Sequence, residues 1–168
     1  RFDTSSVTNM ENMFRLCKNM EMLNLSNFQT ESVINIGHKF ENCQSLISLD
    51  ISSFNTSKVK NMNNLFTNCQ KFSSLNLSHF NTLMVEDMGS MFAGMSALQT
   101  ITFSSSFDTS KVSRMSGMFG KCTSLQSLDL SNFDTSKVTI MGSMFSNCTS
   151  LQNITFGSSF DTSNVMYM

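Results

Sequence analysis

The chain has little of what most enzymes and nucleic-acid binders require. Its 168 residues include two His, one Tyr and no Trp, and only 14% are charged. The formal net charge is −1, with no run of Lys or Arg. The electrostatic footprint of a nucleic-acid or anionic-membrane partner is therefore missing, and no nucleic acid is expected. No apolar segment approaches the roughly 18 to 20 residues that span a bilayer, so no direct membrane insertion is expected from this segment. The first residues have nothing of a secretion signal. The chain also lacks an initiator Met and stops in mid-pattern at Met168, so it reads as an excerpt from a longer protein.

What is present is repetition. A Phe-Asp-Thr-Ser tetrad begins at Phe2, Phe28 (as Phe-Gln-Thr-Glu), Phe54, Phe80, Phe107, Phe133 and Phe160, with spacings of 26, 26, 26, 27, 26 and 27. The extra residue falls where Leu-Asp-Leu-Ser-Asn-Phe (128–133) becomes Ile-Thr-Phe-Ser-Ser-Ser-Phe (101–107) or Ile-Thr-Phe-Gly-Ser-Ser-Phe (154–160). The chain is thus one segment of repeats at 2–27, 28–53, 54–79, 80–106, 107–132 and 133–159, with a partial repeat at 160–168. Self-similarity at this period signals stacked units that share a continuous core, and 40% hydrophobic residues supply one.

Each repeat has two parts. After the tetrad, apolar residues recur at Val112, Met115, Met118, Phe119 and Cys122, and again at Val138, Met141, Met144, Phe145 and Cys148. This spacing predicts one stripe along a short helix. The side-chain oxygens of Asp3, Asp108, Asp134 and Asp161, with Asn55 and Asn81 in the same column, are expected to cap it. Gly89, Gly117 and Gly142 between the buried positions should keep it to a turn or two. Then comes Leu125-x-x-Leu128-x-Leu130, the LxxLxL form of a leucine-rich repeat, which predicts a short strand with one face buried. The expected fold is an α/β repeat: a leucine-rich-repeat-type solenoid with one short strand and one short helix per 26–27-residue unit and a parallel sheet along one face.

The unit Phe-Asp-Thr-Ser-Lys-Val-x-x-Met-x-x-Met-Phe-x-x-Cys-x-Ser-Leu-x-x-Leu-Asp-Leu-Ser of 107–131 resembles the BspA-like leucine-rich-repeat surface proteins, in the variety also known as a Mycoplasma lipoprotein repeat of unknown function. The resemblance covers the whole chain. It implies a protein of the cell surface or extracellular space, some relatives of which bind host matrix proteins or other cells. It carries over no catalytic residue. Repeat 2 departs most, with Gln29, Ile36 and Lys39, and repeat 4 has Met95 in place of Cys.

Residues with chemical potential have plainer readings. Cys17, Cys43, Cys69, Cys122 and Cys148 share one column, match no zinc spacing and include no CxxC. They are expected to be buried structural thiols, ahead of a bond between neighbouring repeats or a metal site. Twelve of the fifteen Met lie in core columns, the exceptions being Met22, Met84 and Met166. His38 and His79 lie in different repeats and are expected on the surface, so neither is placed to serve a nucleophile. No enzyme, cofactor or metal is expected; a calcium ladder on the Asp column is the weaker alternative, interrupted at Gln29. Sequons at Asn24, Asn55, Asn76, Asn147 and Asn153 bear on function only in a secreting eukaryote.

If the LxxLxL leucines face inward, alternation turns out a polar face. Its candidate ligand-binding residues are Asn24, Ser48, Asp50, Ser74, Asn76, Thr100, Thr102, Ser127, Asp129 and Thr155. Without Trp or Tyr anchors, this face suits weak, multivalent or hydrogen-bonded contact with a host or matrix protein, another cell-surface protein or a glycan. The alternative is a structural spacer or assembly scaffold that self-associates through repeat ends. An ice- or crystal-facing role has only Thr100 and Thr102 in its favour.

Overall fold

In the computed structural model, which describes residues 3–168, the apolar residues spaced three apart after each tetrad close turns and do not form a helix. In repeat 5 the N–H of Met118 bonds to the carbonyl of Met115, that of Cys122 to Phe119 and that of Leu125 to Cys122, each at 3.2 Å. Alternate N–H groups leave the segment. Met115, Gly117, Phe119 and Lys121 donate to the carbonyls of Ile140, Gly142, Met144 and Ser146 in the next repeat, at 2.7 to 2.9 Å. An α-helix needs those same donors for carbonyls four residues back, so bonding between repeats excludes it. No helix occurs among the described residues, and the expectation of one per repeat is overturned. A three-residue recurrence of apolar positions fits a string of three-residue turns as well as it fits one helical face.

The backbone reverses hand to make these turns. Each complete repeat holds two residues at positive φ, four apart: Asn12 (59°) and Leu16 (64°), Asn64 (52°) and Asn68 (58°), Gly117 (62°) and Lys121 (61°) among them. Asn and Gly tolerate this region best, which accounts for their frequency in these two columns. The aspartates and asparagines expected as helix caps serve tighter bends instead. Asp108 Oδ1 accepts from Ser110 N at 2.7 Å, Asp134 Oδ1 from Ser136 N at 2.9 Å and Asn55 Oδ1 from Ser57 N at 3.1 Å. These are Asx turns, in which the side chain holds the backbone two residues on.

The six strands are β1 (Met22–Asn24), β2 (Ser48–Asp50), β3 (Ser74–Leu77), β4 (Thr100–Phe103), β5 (Ser127–Leu130) and β6 (Asn153–Phe156). They pair in parallel as β1 with β2, β3 with β4 and β5 with β6, with Leu23 opposite Leu49, Leu75 opposite Ile101 and Leu128 opposite Ile154. The expected continuous sheet is therefore divided into three two-stranded sheets. Continuity comes from another column, where Asn9, Asn35, Asn61, Asp87, Arg114, Ile140 and Tyr167 form successive parallel bridges. Each repeat is one coil stacked on the next, numbered below from coil 1 (3–27, the described part of the first repeat; Phe2 of its tetrad lies outside the described residues) to coil 6 (133–159).

Columns of like side chains fill the interior. Phe14, Phe40, Phe66, Phe92, Phe119 and Phe145 stack with ring centroids 5.4 to 6.2 Å apart, close to parallel. That range is favourable for offset rings, and each ring also brings a large apolar surface out of water. Met62, Met88, Met115 and Met118 are fully buried around this ladder. In the tetrads, Thr4, Thr30, Thr56, Thr82, Thr109 and Thr135 are buried and staple neighbouring coils. Thr56 Oγ1 donates to the Asn81 carbonyl at 2.8 Å and accepts from Asn81 N at 2.9 Å. Thr109 does the same with Asp134, both at 2.8 Å.

Candidate ligand face

Strand alternation positions the candidate face. In β3 and β5 the pattern is exposed, buried, exposed, buried, so Ser74 and Asn76, and Ser127 and Asp129, point outward while Leu75, Leu77, Leu128 and Leu130 point in. The in-register pairs set Asn24 beside Asp50, Met22 beside Ser48, Ser74 beside Thr100, Asn76 beside Thr102 and Asp129 beside Thr155. All these outward residues are exposed except Asp50, which is half-buried. The structure brings the ten sequence-derived positions together within each strand pair; the divided sheet separates the three sets. The last strand departs from the pattern, because Phe156, expected inside, is 49% exposed.

Several of these polar groups already hold the chain. Asn24, Asp50, Asn76 and Asp129 each accept from the backbone N–H of the Ser two residues on, at 2.8 to 3.1 Å. Hydrogen bonds from the Ser52 hydroxyl and N–H hold the Asp50 carboxyl below its ordinary range, and those from Ser131 do the same for Asp129. Both are ionised acceptors at neutral pH. Thr102 and Thr155 stand where the other strands carry Asn or Asp and make no such turn.

Two pockets open where β4 and β5 fail to pair. One, of about 220 Å³, is lined by Thr102, Phe103, Asp129 and Phe133 among others. A second, of about 320 Å³, is lined by Ser105, Asp108, Ser110 and Asp134, and shares Phe107 and Asn132 with the first. A third hollow of about 340 Å³ runs over the turn face among small residues, including Ser90, Gly94, Gly117 and Gly120.

The remaining reactive groups are dispersed. His38, expected on the surface, is half-buried, its Nδ1 2.6 Å from Glu41 Oε2, and Arg15 Nε lies 2.8 Å from the same oxygen. Burial pushes the Glu41 carboxyl up, but the bonds from His38 and Arg15 outweigh it and hold it below its ordinary value. His79 is exposed, with its ring edge-on to Phe80. All five Cys are free; Cys43, Cys69 and Cys122 are buried, Cys17 and Cys148 partly so. Cys69 Sγ donates to the Phe40 carbonyl at 3.2 Å and Cys122 Sγ to that of Phe92 at 3.2 Å. Burial pushes the Cys43 thiol up to about 11 and the Cys122 thiol up to about 12. No group of three or more His, Cys, Asp or Glu gathers as a metal site among the described residues. No described helix is long and apolar enough to cross a membrane.

Two features escaped sequence reasoning. One is the Thr staple, whose signal was available: Thr stands in all seven tetrads while the residues on either side of it vary. The other is Lys39. Its side chain is fully buried, with Nζ 3.3 Å from Met10 Sδ and 3.2 Å from Met13 Sδ. The rings of Phe14, Phe28, Phe40 and Phe54 lie 5.2 to 5.8 Å away.

A family model described as Mycoplasma protein of unknown function, DUF285, matches residues 1–103 and 74–168. No curated protein and no solved structure shows a significant match to the chain.

Proposed function

The chain belongs to this Mycoplasma family, and from that premise we propose that it is a non-catalytic repeat module of the cell surface or extracellular space that binds a host or matrix protein, another surface protein or a glycan. The observation that carries this reading is the outward row of the strands. Ser74, Asn76, Ser127 and Asp129 and their register partners form a shallow, hydroxyl- and amide-rich surface on a backbone already fixed by Asx turns. Such a surface meets an extended or repetitive ligand at little ordering cost. Repetition adds avidity where no single contact is strong. The likeness of the 107–131 unit to BspA-like surface proteins supports the same assignment.

The test is binding of the intact chain to host matrix proteins and to cells, before and after Asp50→Lys and Asp129→Lys together. Asp50 ends β2 and Asp129 is an outward position within β5, and they are the acidic members of the row, so the double variant reverses its charge. Loss of binding in a folded double variant supports the face. Unchanged binding removes the site assignment. A structural scaffold is the second reading, favoured by the unbroken ladder of bridges from Asn9 to Tyr167, which lets one coil template the next. A strictly monomeric intact protein that binds a host ligand would exclude it.

A further inference from the structure

Coils 4 and 6 differ from the others in two ways at once. Each has one inserted residue before the next tetrad, and each ends its strand in Phe where the other coils have Leu or Ile. The result is the same aromatic corner twice: Phe103 and Phe107 with centroids 4.5 Å apart at 47°, and Phe156 and Phe160 at 4.5 Å and 53°. Leu25, Ile51, Leu77 and Leu130, in the same column, are buried, whereas Phe103 is only partly so. Phe103 also packs edge-on to Phe133 at 5.4 Å, which places the corner in the gap between β4 and β5.

Three carboxylates line the two pockets that meet at this corner. Asp108, Asp129 and Asp134 each commit Oδ1 to a backbone N–H, at 2.7, 2.8 and 2.9 Å. The Ser131 and Ser136 hydroxyls also bond to Asp129 and Asp134, and the Lys137 charge acts on Asp134, while no Lys or Arg lines either pocket. The carboxylates are thus held in orientation, and with about four acceptor sites each they keep room for further donors. Ser105, Ser110 and Asn132 add hydroxyl and amide groups along the rim.

We propose that this crevice between coils 4 and 5 is a subsite for a neutral, unsulfated sugar unit of an extended glycan, seated against Phe103, with its hydroxyls donating to Asp129, Asp108 and Asp134. A sugar offers an apolar C–H face to an aromatic ring and several O–H donors around it, which is the complement of an aromatic floor with an acceptor rim. Sulfated and uronic-acid glycans are disfavoured by three like charges. The second corner lies two coils along the stack. The inference rests on the surface-binding reading above and narrows its ligand.

Saturation-transfer and chemical-shift NMR on the intact chain, with an N-acetylglucosamine trimer and cellotriose at millimolar concentration, test it. A sulfated heparin hexasaccharide and a Lys-rich peptide serve as competing ligand classes. Two variants borrow residues the fold already uses in the same columns: Phe103→Leu copies Leu77 and Leu130, and Asp129→Asn copies Asn76, keeping the Asx turn. The proposal expects a neutral trisaccharide to shift residues 102–108 and 129–134, and each variant to weaken that binding about tenfold. It is overturned if neither trisaccharide binds, if only heparin or the peptide does, or if Phe103→Leu binds as tightly as the parent. Matrix-protein binding that survives Phe103→Leu while the trisaccharides fail removes the sugar subsite and leaves the surface-binding reading standing. Loss of every interaction tested removes both.

Discussion

Replacing Lys39 by Met should stabilise the protein at neutral pH. Lys39 occupies a column that carries Met13, Leu65, Met91, Met118 and Met144 in other coils, so Met fits the site by shape. Its ammonium has two thioether sulfurs and four aromatic rings as neighbours, and no carboxylate lies within ion-pair distance among the described residues. Burial holds the amine at about 8 against an ordinary 10.5. At about 1.4 kcal/mol per tenfold change in proton affinity, keeping it charged in the fold at pH 7 costs about 3 kcal/mol. Cation–π attraction, worth up to about 2 kcal/mol when desolvated, is lost in the Met variant, so the net gain is about 1 to 3 kcal/mol. The sign with pH follows from linkage. Between about 8 and 10.5 the unfolded chain binds this proton and the folded chain does not, so wild-type stability rises through that window from this group. The advantage of Lys39→Met should then be constant below pH 8 and shrink towards pH 10.5. Urea unfolding of both proteins at several pH values measures it, and taking the difference cancels the titration of every other group. A gain that is absent at pH 7, or that does not change between pH 8 and 10.5, would refute the picture of an uncompensated buried cation.

The buried thiols act in the opposite sense at alkaline pH. With an ordinary value of 9.0 and folded values of about 11 for Cys43 and about 12 for Cys122, they contribute stability that is fully present below pH 9 and lost as pH rises towards the folded values. The double variant Cys43→Ala, Cys122→Ala should flatten that alkaline loss in a pH series of melting temperatures, although it is less stable at pH 7. Thr56→Val keeps the shape of the staple but leaves the Asn81 N–H and carbonyl without their partner, and should cost about 2 to 4 kcal/mol; Thr56→Ser should cost less than about 1 kcal/mol. Equal losses for the two in urea unfolding would show that the hydroxyl holds nothing. Leu16 sits at φ 64° and is 54% exposed, so Leu16→Gly should gain about 1 kcal/mol by relieving its backbone. A loss of stability in the same assay would count against strain at that position.

The sequence displays the repeat, its length and the strand positions because each depends on local alternation: the outward Ser74 and Asn76 and inward Leu75 and Leu77 follow from period two alone. The turn segment misleads a local reading because Val112, Met115, Met118 and Cys122 keep a three-residue interval that a helix shares. What separates turns from helix is the destination of alternate N–H groups, and those of Gly117 and Lys121 go 25 residues ahead. Local periodicity has no access to that. A hint lay in Asn12, Asn64 and Asn68, poor helix formers at the positions that turn left-handed. The candidate face was legible as a row of residues. The crevice was not, because it needs β4 and β5 to part.

In a stack where each coil touches only its neighbours, a residue repeated down a column answers to one environment and says little about function. Departures from the column are more informative, and they are of two kinds that the same experiment separates. Lys39 sits where the fold has no use for its charge, so restoring Met should raise stability. Phe103 sits at a corner that coil 6 reproduces together with the inserted residue, Ile-Thr-Phe-x-Ser-Ser-Phe in both. Restoring Leu at 103 should leave the stack folded, because Leu77 and Leu130 already serve that column, and should remove only what the crevice binds. Swapping each departure for its column residue, and reading stability beside binding to a panel of glycans and matrix proteins, therefore distinguishes a tolerated cost from a site.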